Sequence, residues 1–242
     1  MVIEIGAAKC GRFQGYESEE TFEVIERPLG GQSIVYCKGK RDGIDSKTIS
    51  SVIVSKILEK IYDSQRDSTA IKTVNDQIFR AYAGTAVGDL CMISADFESS
   101  TLVVSRCTNT PVYYYQRGML NVWEQKAQRI GAERGLHPSI TEIPIEPGTT
   151  VLLLSEGIIN AGKKLGIYSD ISDLLLNIAD DGNEYHADQI AEFFLQRASM
   201  LNQYKPDEDM TAIIMRVKEN TFSTTTKMLL TCPIPEYQSI FD

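Results

Sequence analysis

Residues 33–49 read SIVYCKGKRDGIDSKTI. A run of β-formers ends at Cys37, a glycine-flanked basic turn with Lys38, Lys40 and Arg41 follows, and an amphipathic helix begins after it. Strand, glycine turn and helix together present backbone N–H groups and side chains to a phosphate or a metal. A hard metal ion would call for carboxylates at such a turn. Three basic residues stand there instead.

Working outward, TFEVIERP (21–28) and QSIVYC (32–37) are two strands joined by a PLGG turn. The helix after the basic turn is expected from about Asp45 to Asp63, because Ile49, Val52, Ile53, Ile57 and Ile61 fall on one face. A second helix is expected over about 68–82, with Ile71, Val74, Ile78 and Tyr82 on its stripe. DLCMISADF, STLVVSRC and PVYYYQRG then read as a strand meander. ITEIPI and TTVLLLSE are strands joined by EPG, a turn by composition. Two helices are expected near 170–179 and 186–203, and MTAIIMRV (210–217) is a last strand. Helices come in pairs between runs of strands, so strict βαβ alternation is absent. Two antiparallel sheets packed face to face, with a helix pair outside each, would bury every apolar face. The expected fold is therefore an α+β four-layer αββα sandwich in one domain, 1–218. Residues 219–242 read as a C-terminal extension, loose or docked through MLLTCPIP.

The bulk properties bound the function. The chain has 242 residues, enough for a real core, and is 43% hydrophobic and 24% charged. A net charge of -9 argues against a general nucleic-acid binder. The longest apolar runs are far short of a membrane span, and the N-terminus lacks a signal-peptide pattern, so a cytoplasmic protein is expected. Five cysteines without CxxC spacing favour buried free thiols over a disulfide or metal framework. GKRDGIDSKT lacks the ending of a P-loop, and LSEGI lacks the frame of a nucleophile elbow. His137, His186 and Trp123 read as surface or packing residues. Nothing in the sequence speaks to oligomeric state.

Acids at strand ends carry the chemistry. Glu156 follows TTVLLLS, Asp209 precedes the last strand beside Asp207 and Glu208, and Glu19 and Glu20 precede TFEVIERP. Three acidic clusters at three strand ends would converge on hard divalent cations. Together with the basic turn they make four segments, ESEETFEVIERP, IVYCKGKRDG, VLLLSEGIINAG and KPDEDMTAIIMRV. In order and spacing these resemble the metal-dependent protein serine/threonine phosphatases (the PPM family), in their bacterial stage-II-sporulation-E-like branch, over residues 4–217. The resemblance implies the same αββα sandwich, with two Mg²⁺ or Mn²⁺ ions between the sheets. It implies that these activate a water for attack on a phosphoserine or phosphothreonine.

Carried over by position, Asp209 keeps the family's acid and Glu156 replaces an Asp, as SEG for TDG. Glu20 stands where an early Asp would lie, and Gly39 is retained. The expected catalytic pair is thus Asp209 and Glu156, and the expected metal set Glu20, Gly39, Glu156 and Asp209. Lys38 stands where the Asp bridging both metals would be. At about 4 Å and an effective dielectric of about 20, a +1 charge beside a +2 charge is repelled by on the order of 8 kcal/mol. Three readings of the basic turn stay open. Lys38 pairs with Asp209 or Glu156 and replaces the metals. Alternatively, Lys38, Lys40 and Arg41 receive a partner's phosphate without hydrolysing it. In the third, the turn is merely solvated, with Asp45 as the helix N-cap. Two functions follow: a pseudophosphatase that binds a phosphorylated protein, or an active Mn/Mg phosphatase with a rearranged site on Glu156 and Asp209, helped by Glu20 or Glu208.

Overall fold

The computed structural model describes residues 1–13, 18–167, 170–180, 185–219 and 226–231. The strands are β1 (Val2–Cys10), β2 (Glu20–Glu26), β3 (Gly31–Arg41), β4 (Ile44–Asp45), β5 (Ala86–Asp96), β6 (Thr101–Cys107), β7 (Val112–Gln116), β8 (Met119–Trp123), β9 (Ser139–Pro144), β10 (Thr150–Leu154) and β11 (Met210–Lys218). The helices are α1 (Lys47–Tyr62), α2 (Asp67–Tyr82), α3 (Glu156–Ile159), α4 (Ile171–Asp180) and α5 (Ala187–Leu201). One antiparallel sheet runs β1-β11-β10-β7-β8, and the other runs β2-β3-β5-β6-β9 with β4 paired to β3. They are called here the first and second sheet. The expected four-layer sandwich is what forms.

Strand alternation makes the layers. In β10, Leu152 and Leu154 face α5 and α4, while Val151 and Leu153 face the other sheet. In β11, Ala212 and Ile214 go outward, and Ile213, Met215 and Val217 go inward. Both faces are covered, so these strands read as unbroken apolar runs. The Ile49, Ile53, Ile57 and Ile61 stripe of α1 packs with Ile71, Val74 and Ile78 of α2 onto Val35, Leu90 and Met92 of the second sheet. Each fully buried branched side chain stabilises by roughly 1.5–3 kcal/mol.

Four expectations change. The basic turn is the end of β3, which runs on to Arg41 because Asp42 and Gly43, at φ 52 and 82, form the hairpin turn to β4. The N-cap of α1 is Ser46, whose hydroxyl accepts from the Ile49 N–H, and Asp45 belongs to β4. The meander is split: β5 and β6 pair in the second sheet, and the chain crosses at TNTP to pair β7 with β10 and β8 in the first. Likewise β9 and β10 lie in different sheets, so EPG joins layers rather than a hairpin. Strands β1 and β8 and the short α3 carry too little pattern to have been anticipated. Of the five cysteines, Cys37, Cys91 and Cys107 are buried free thiols, Cys10 is half-buried and free, and Cys232 lies outside the described residues. In the extension, Met228, Leu229 and Leu230 are exposed, and residues 220–225 and 232–242 lie outside the described residues.

Candidate functional site

The antiparallel layout brings the ends of β1, β3 and β10 and the starts of β2, β5 and β11 to one edge of the sandwich. Two glycines let that edge close. A Cβ on Gly39 would lie 2.3 Å from the Ser50 nitrogen, so only glycine admits the first turn of α1 against β3. A Cβ on Gly157 would lie 2.2 Å from the Asp209 carbonyl oxygen, so α3 rests on the turn before β11. Gly39 thus serves the site through close backbone approach.

Register sets a charged row across the second sheet. Glu20 of β2 lies opposite Lys38 of β3, and Lys38 lies opposite Asp89 of β5. Directly opposed residues share a face, and this face looks into the gap between the sheets. Asp89 Oδ1 accepts from Arg129 Nε at 3.0 Å.

Lys38 is buried, and its ammonium reaches across that gap. Nζ lies 3.4 Å from Glu208 Oε2, 3.9 Å from Glu156 Oε2 and 3.9 Å from Asp45 Oδ2. Burial works against its charge, but Asp45, Glu20, Glu208 and Glu156 together outweigh burial and hold the ammonium above the ordinary lysine range. The expected pairing with Glu156 is present. Asp209 is engaged otherwise: Oδ1 accepts from the Arg12 N–H at 2.9 Å and Oδ2 from the Glu19 N–H at 2.6 Å. Its carboxylate clamps Arg12, just after β1, and Glu19, just before β2. Glu19 in turn accepts the Lys47 N–H at the start of α1.

Glu20 is fully buried. Its Oε2 accepts from the Thr211 hydroxyl, which ties the two sheets together, and its Oε1 has no well-formed hydrogen bond. Burial pushes this carboxyl up to about 7, against the hydroxyls of Thr211 and Tyr36 and the charge of Lys38. Lys40 shares the face of Lys38 and lies 3.6 Å from Asp45 Oδ1. Arg41 is on the opposite face, 3.8 Å from Asp42 and with its guanidinium 5.7 Å from the Tyr82 ring centre. The three basic residues therefore do not converge. Sequence reasoning missed Asp45 and Thr211 as members of this cluster. Asp45 was hidden by its reading as a helix cap, and a buried strand threonine carries no signal of its own.

Residues 42–218 match the sequence profile of the family described as Stage II sporulation protein E (SpoIIE). The chain belongs to that family. Its fold is shared with the PP2C phosphatase domain and a fragment of the regulatory domain of SpoIIE from Bacillus subtilis. That structure aligns with TM-score 0.73 at 17% identity, over 91% of this chain and 64% of that one. The RsbU and RsbW domains of a Mycobacterium tuberculosis protein align with TM-score 0.69 at 15% identity, over 90% and 62%. The catalytic domain of the serine/threonine phosphatase PstP, in complex with two manganese ions, aligns with TM-score 0.68 at 12% identity, over 90% and 99%. No curated protein sequence matches the chain.

The residues of this SpoIIE-family chain do not fit a pair of dications. Each oxygen of Asp209 accepts one backbone N–H and keeps a second lone pair, so the misfit lies with its neighbours. Burial pushes the Glu20 carboxyl up to about 7, which favours its neutral, protonated form. The Lys38 ammonium stands among the remaining carboxylates. Among the described residues, no group of three or more His, Cys, Asp or Glu is placed to hold a metal ion.

Proposed function

We propose that the chain is a non-hydrolysing member of the SpoIIE phosphatase family, a signalling module that engages a protein partner. The observation that carries this reading is the Lys38 ammonium, within 4 Å of Asp45, Glu156 and Glu208. It supplies one fixed positive charge where the family resemblance implies two dications and a metal-activated water. In that role it holds the ends of the two sheets together without metal. An active phosphatase with one ion on Glu156 and Asp209 would have to hold a dication beside the Lys38 ammonium, which lies 3.9 Å from Glu156 Oε2. Recognition of a partner through its phosphate also finds little support here. Lys38 is buried among carboxylates, and Lys40 and Arg41 face apart. A bacterial regulatory setting is supported by the relatives: one is a cell fate determinant, another a regulatory component of a secretion system in Pseudomonas aeruginosa. Buried free thiols suit a reducing cytoplasm.

The test is a calorimetric titration with Mn²⁺ and Mg²⁺, with p-nitrophenyl phosphate hydrolysis followed in the same buffers. The expected result is neither saturable heat nor turnover. Saturable Mn²⁺ binding with hydrolysis would overturn the reading.

A further inference from the structure

The first sheet ends in an open edge. Strand β8 is its outermost strand and pairs with β7 alone. The two join through Arg117 and Gly118, both at positive φ, so Gln116 and Met119 close a two-residue hairpin as a hydrogen-bonded pair. Pairing alternates from there. Met119, Asn121 and Trp123 bond to β7, and Leu120 and Val122 turn their N–H and C=O groups outward. Among the described residues, no backbone group pairs with those of Leu120 and Val122. The strand is held in place near its end. The Trp123 ring stacks on Tyr114 at 4.4 Å, and the buried Arg106 guanidinium donates to the Trp123 and Gln125 carbonyls.

This edge lacks the protection that the other outermost strands carry. Exposed edges are blunted by charge or proline. Strand β1 has Glu4 and Lys9, β2 has Glu20, Glu23 and Glu26, and β9 has Glu142 and Pro144. Strand β8 reads MLNVW, with neither charge nor proline, and Met119 and Val122 are 63% and 39% exposed. A chain of net charge -9 repels its own copies. A contact between copies needs an uncharged strip, and β8 offers one.

We infer that two copies of the chain associate through this edge, β8 against β8, antiparallel about a two-fold axis at Asn121. In this register Leu120 lies opposite the partner's Val122 and Val122 opposite the partner's Leu120, so the outward N–H and C=O groups of both strands are matched. The flanking charges agree. Arg117, which pairs with Glu146, precedes the strand, and Glu124 and Lys126 follow it; Arg117, Glu124 and Lys126 are exposed. Each end of the pair gathers Arg117 and Glu146 of one copy with Glu124 and Lys126 of the other, so the charges there balance. The two Glu124 residues stand about 20 Å apart along the strands, beyond the screening length at physiological salt. Asp170, near Tyr113 of β7, and Glu142, on β9 of the other sheet, lie off the paired strands. Trp123 is aligned with Val112 and Leu153, at the end of the sheet that carries the Lys38 edge. The two-fold therefore points the two Lys38 edges in opposite directions. The inference goes beyond the metal-free reading and does not depend on it.

The experiment is sedimentation velocity of the full chain from about 10 µM to about 500 µM, because a contact this short is a weak one. Hydrogen exchange at the Leu120 and Val122 amides is followed over the same range. The Val122→Lys variant is run in parallel, since lysine is a natural blocker of edge pairing and this side chain is exposed. Exchange at the β11 amides reports in the same data that the variant is folded. The parent is expected to move towards twice the monomer mass as concentration rises, with exchange at both edge amides slowing by about five-fold. Val122→Lys is expected to need about ten-fold more protein for the same dimer fraction, because it sets like charges near one another across the paired strands. A parent that stays monomeric throughout would overturn the inference. So would a dimer that Val122→Lys leaves unchanged. Exchange at Leu120 and Val122 that is slow at every concentration would overturn it too, and would mean that another part of the same chain covers the edge.

Discussion

Lys38 of β3 in the second sheet and Glu156, the first residue of α3 just after β10 of the first, meet at 3.9 Å, ammonium to carboxylate, across the gap between the sheets. One side chain thus ties the two layers at this edge. Glu156 is well exposed, so solvent screens its share of the attraction.

That tie can be exchanged. Lys38→Asp places a fourth carboxylate among Asp45, Glu156 and Glu208 and removes their counter-charge. Breaking a buried pair costs about 3–5 kcal/mol. Partial exposure of the partners lowers the expected loss to about 2 kcal/mol. If carboxylates then suffice to bind Mn²⁺, the ion at a hundred times its Kd returns about 2.7 kcal/mol. Differential scanning calorimetry with and without Mn²⁺ reads both effects. The expected pattern is a destabilised variant rescued by Mn²⁺ and a parent protein indifferent to it. A parent whose melting temperature rises with Mn²⁺ would contradict the role given to Lys38.

Asp209 has a structural duty of its own. Asp209→Ala leaves the Arg12 and Glu19 N–H groups without their acceptor. Hydrogen bonds to a charged group contribute about 1.5–3 kcal/mol each, so a loss of about 3 kcal/mol is expected. Hydrogen exchange at the Arg12 and Glu19 amides should speed up well before that of β11. If the metal-free protein keeps its stability and those amides stay protected, Asp209 is not the clamp described.

Gly39→Ala tests the close approach of β3 and α1. Its Cβ would meet backbone at Ser50, Ile49 and Ser46, which no side-chain rotation relieves. The expected cost is about 3 kcal/mol, the upper end for overpacking. It should appear as a lower urea midpoint at unchanged slope. An unchanged midpoint would mean that α1 gives way freely.

The layers were legible because burial on both faces writes itself into residues such as Val151 to Leu154 and Ile213 to Val217. The helix pairs were legible from the α1 isoleucine stripe. What the sequence hid were choices between sheets: STLVVSRC and PVYYYQRG look alike as strands, and only tertiary pairing separates them. In the site, the end positions of Lys38 and Glu156 could be read, but the occupants of Asp209 could not. Its partners are backbone N–H groups of Arg12 and Glu19, which no residue type announces. Asp45 was legible as an acid before a helix and joined the cluster only because β3 runs four residues beyond Cys37.

Glu20 makes stability depend on pH in a stated window. Its carboxyl has an ordinary value of 4.5 and is pushed up to about 7 in the fold, first by burial. Between these values the folded state binds more protons than the unfolded state, so stability falls as pH rises. The contribution is fully present below 4.5 and is gone once pH has risen through about 7. At about 1.4 kcal/mol per pH unit, the interval amounts to about 3 kcal/mol. Glu20→Gln cannot ionise and keeps an oxygen for the Thr211 hydroxyl. The difference between parent and variant isolates this group from every other titration. At pH 8 the variant should be the more stable by about 3 kcal/mol, and the gap should close towards pH 4.5. Urea unfolding at half-unit pH steps measures it. Parallel pH profiles for the two proteins would show that Glu20 ionises in the fold as it does in water, and that its burial against Thr211 and Tyr36 carries no penalty.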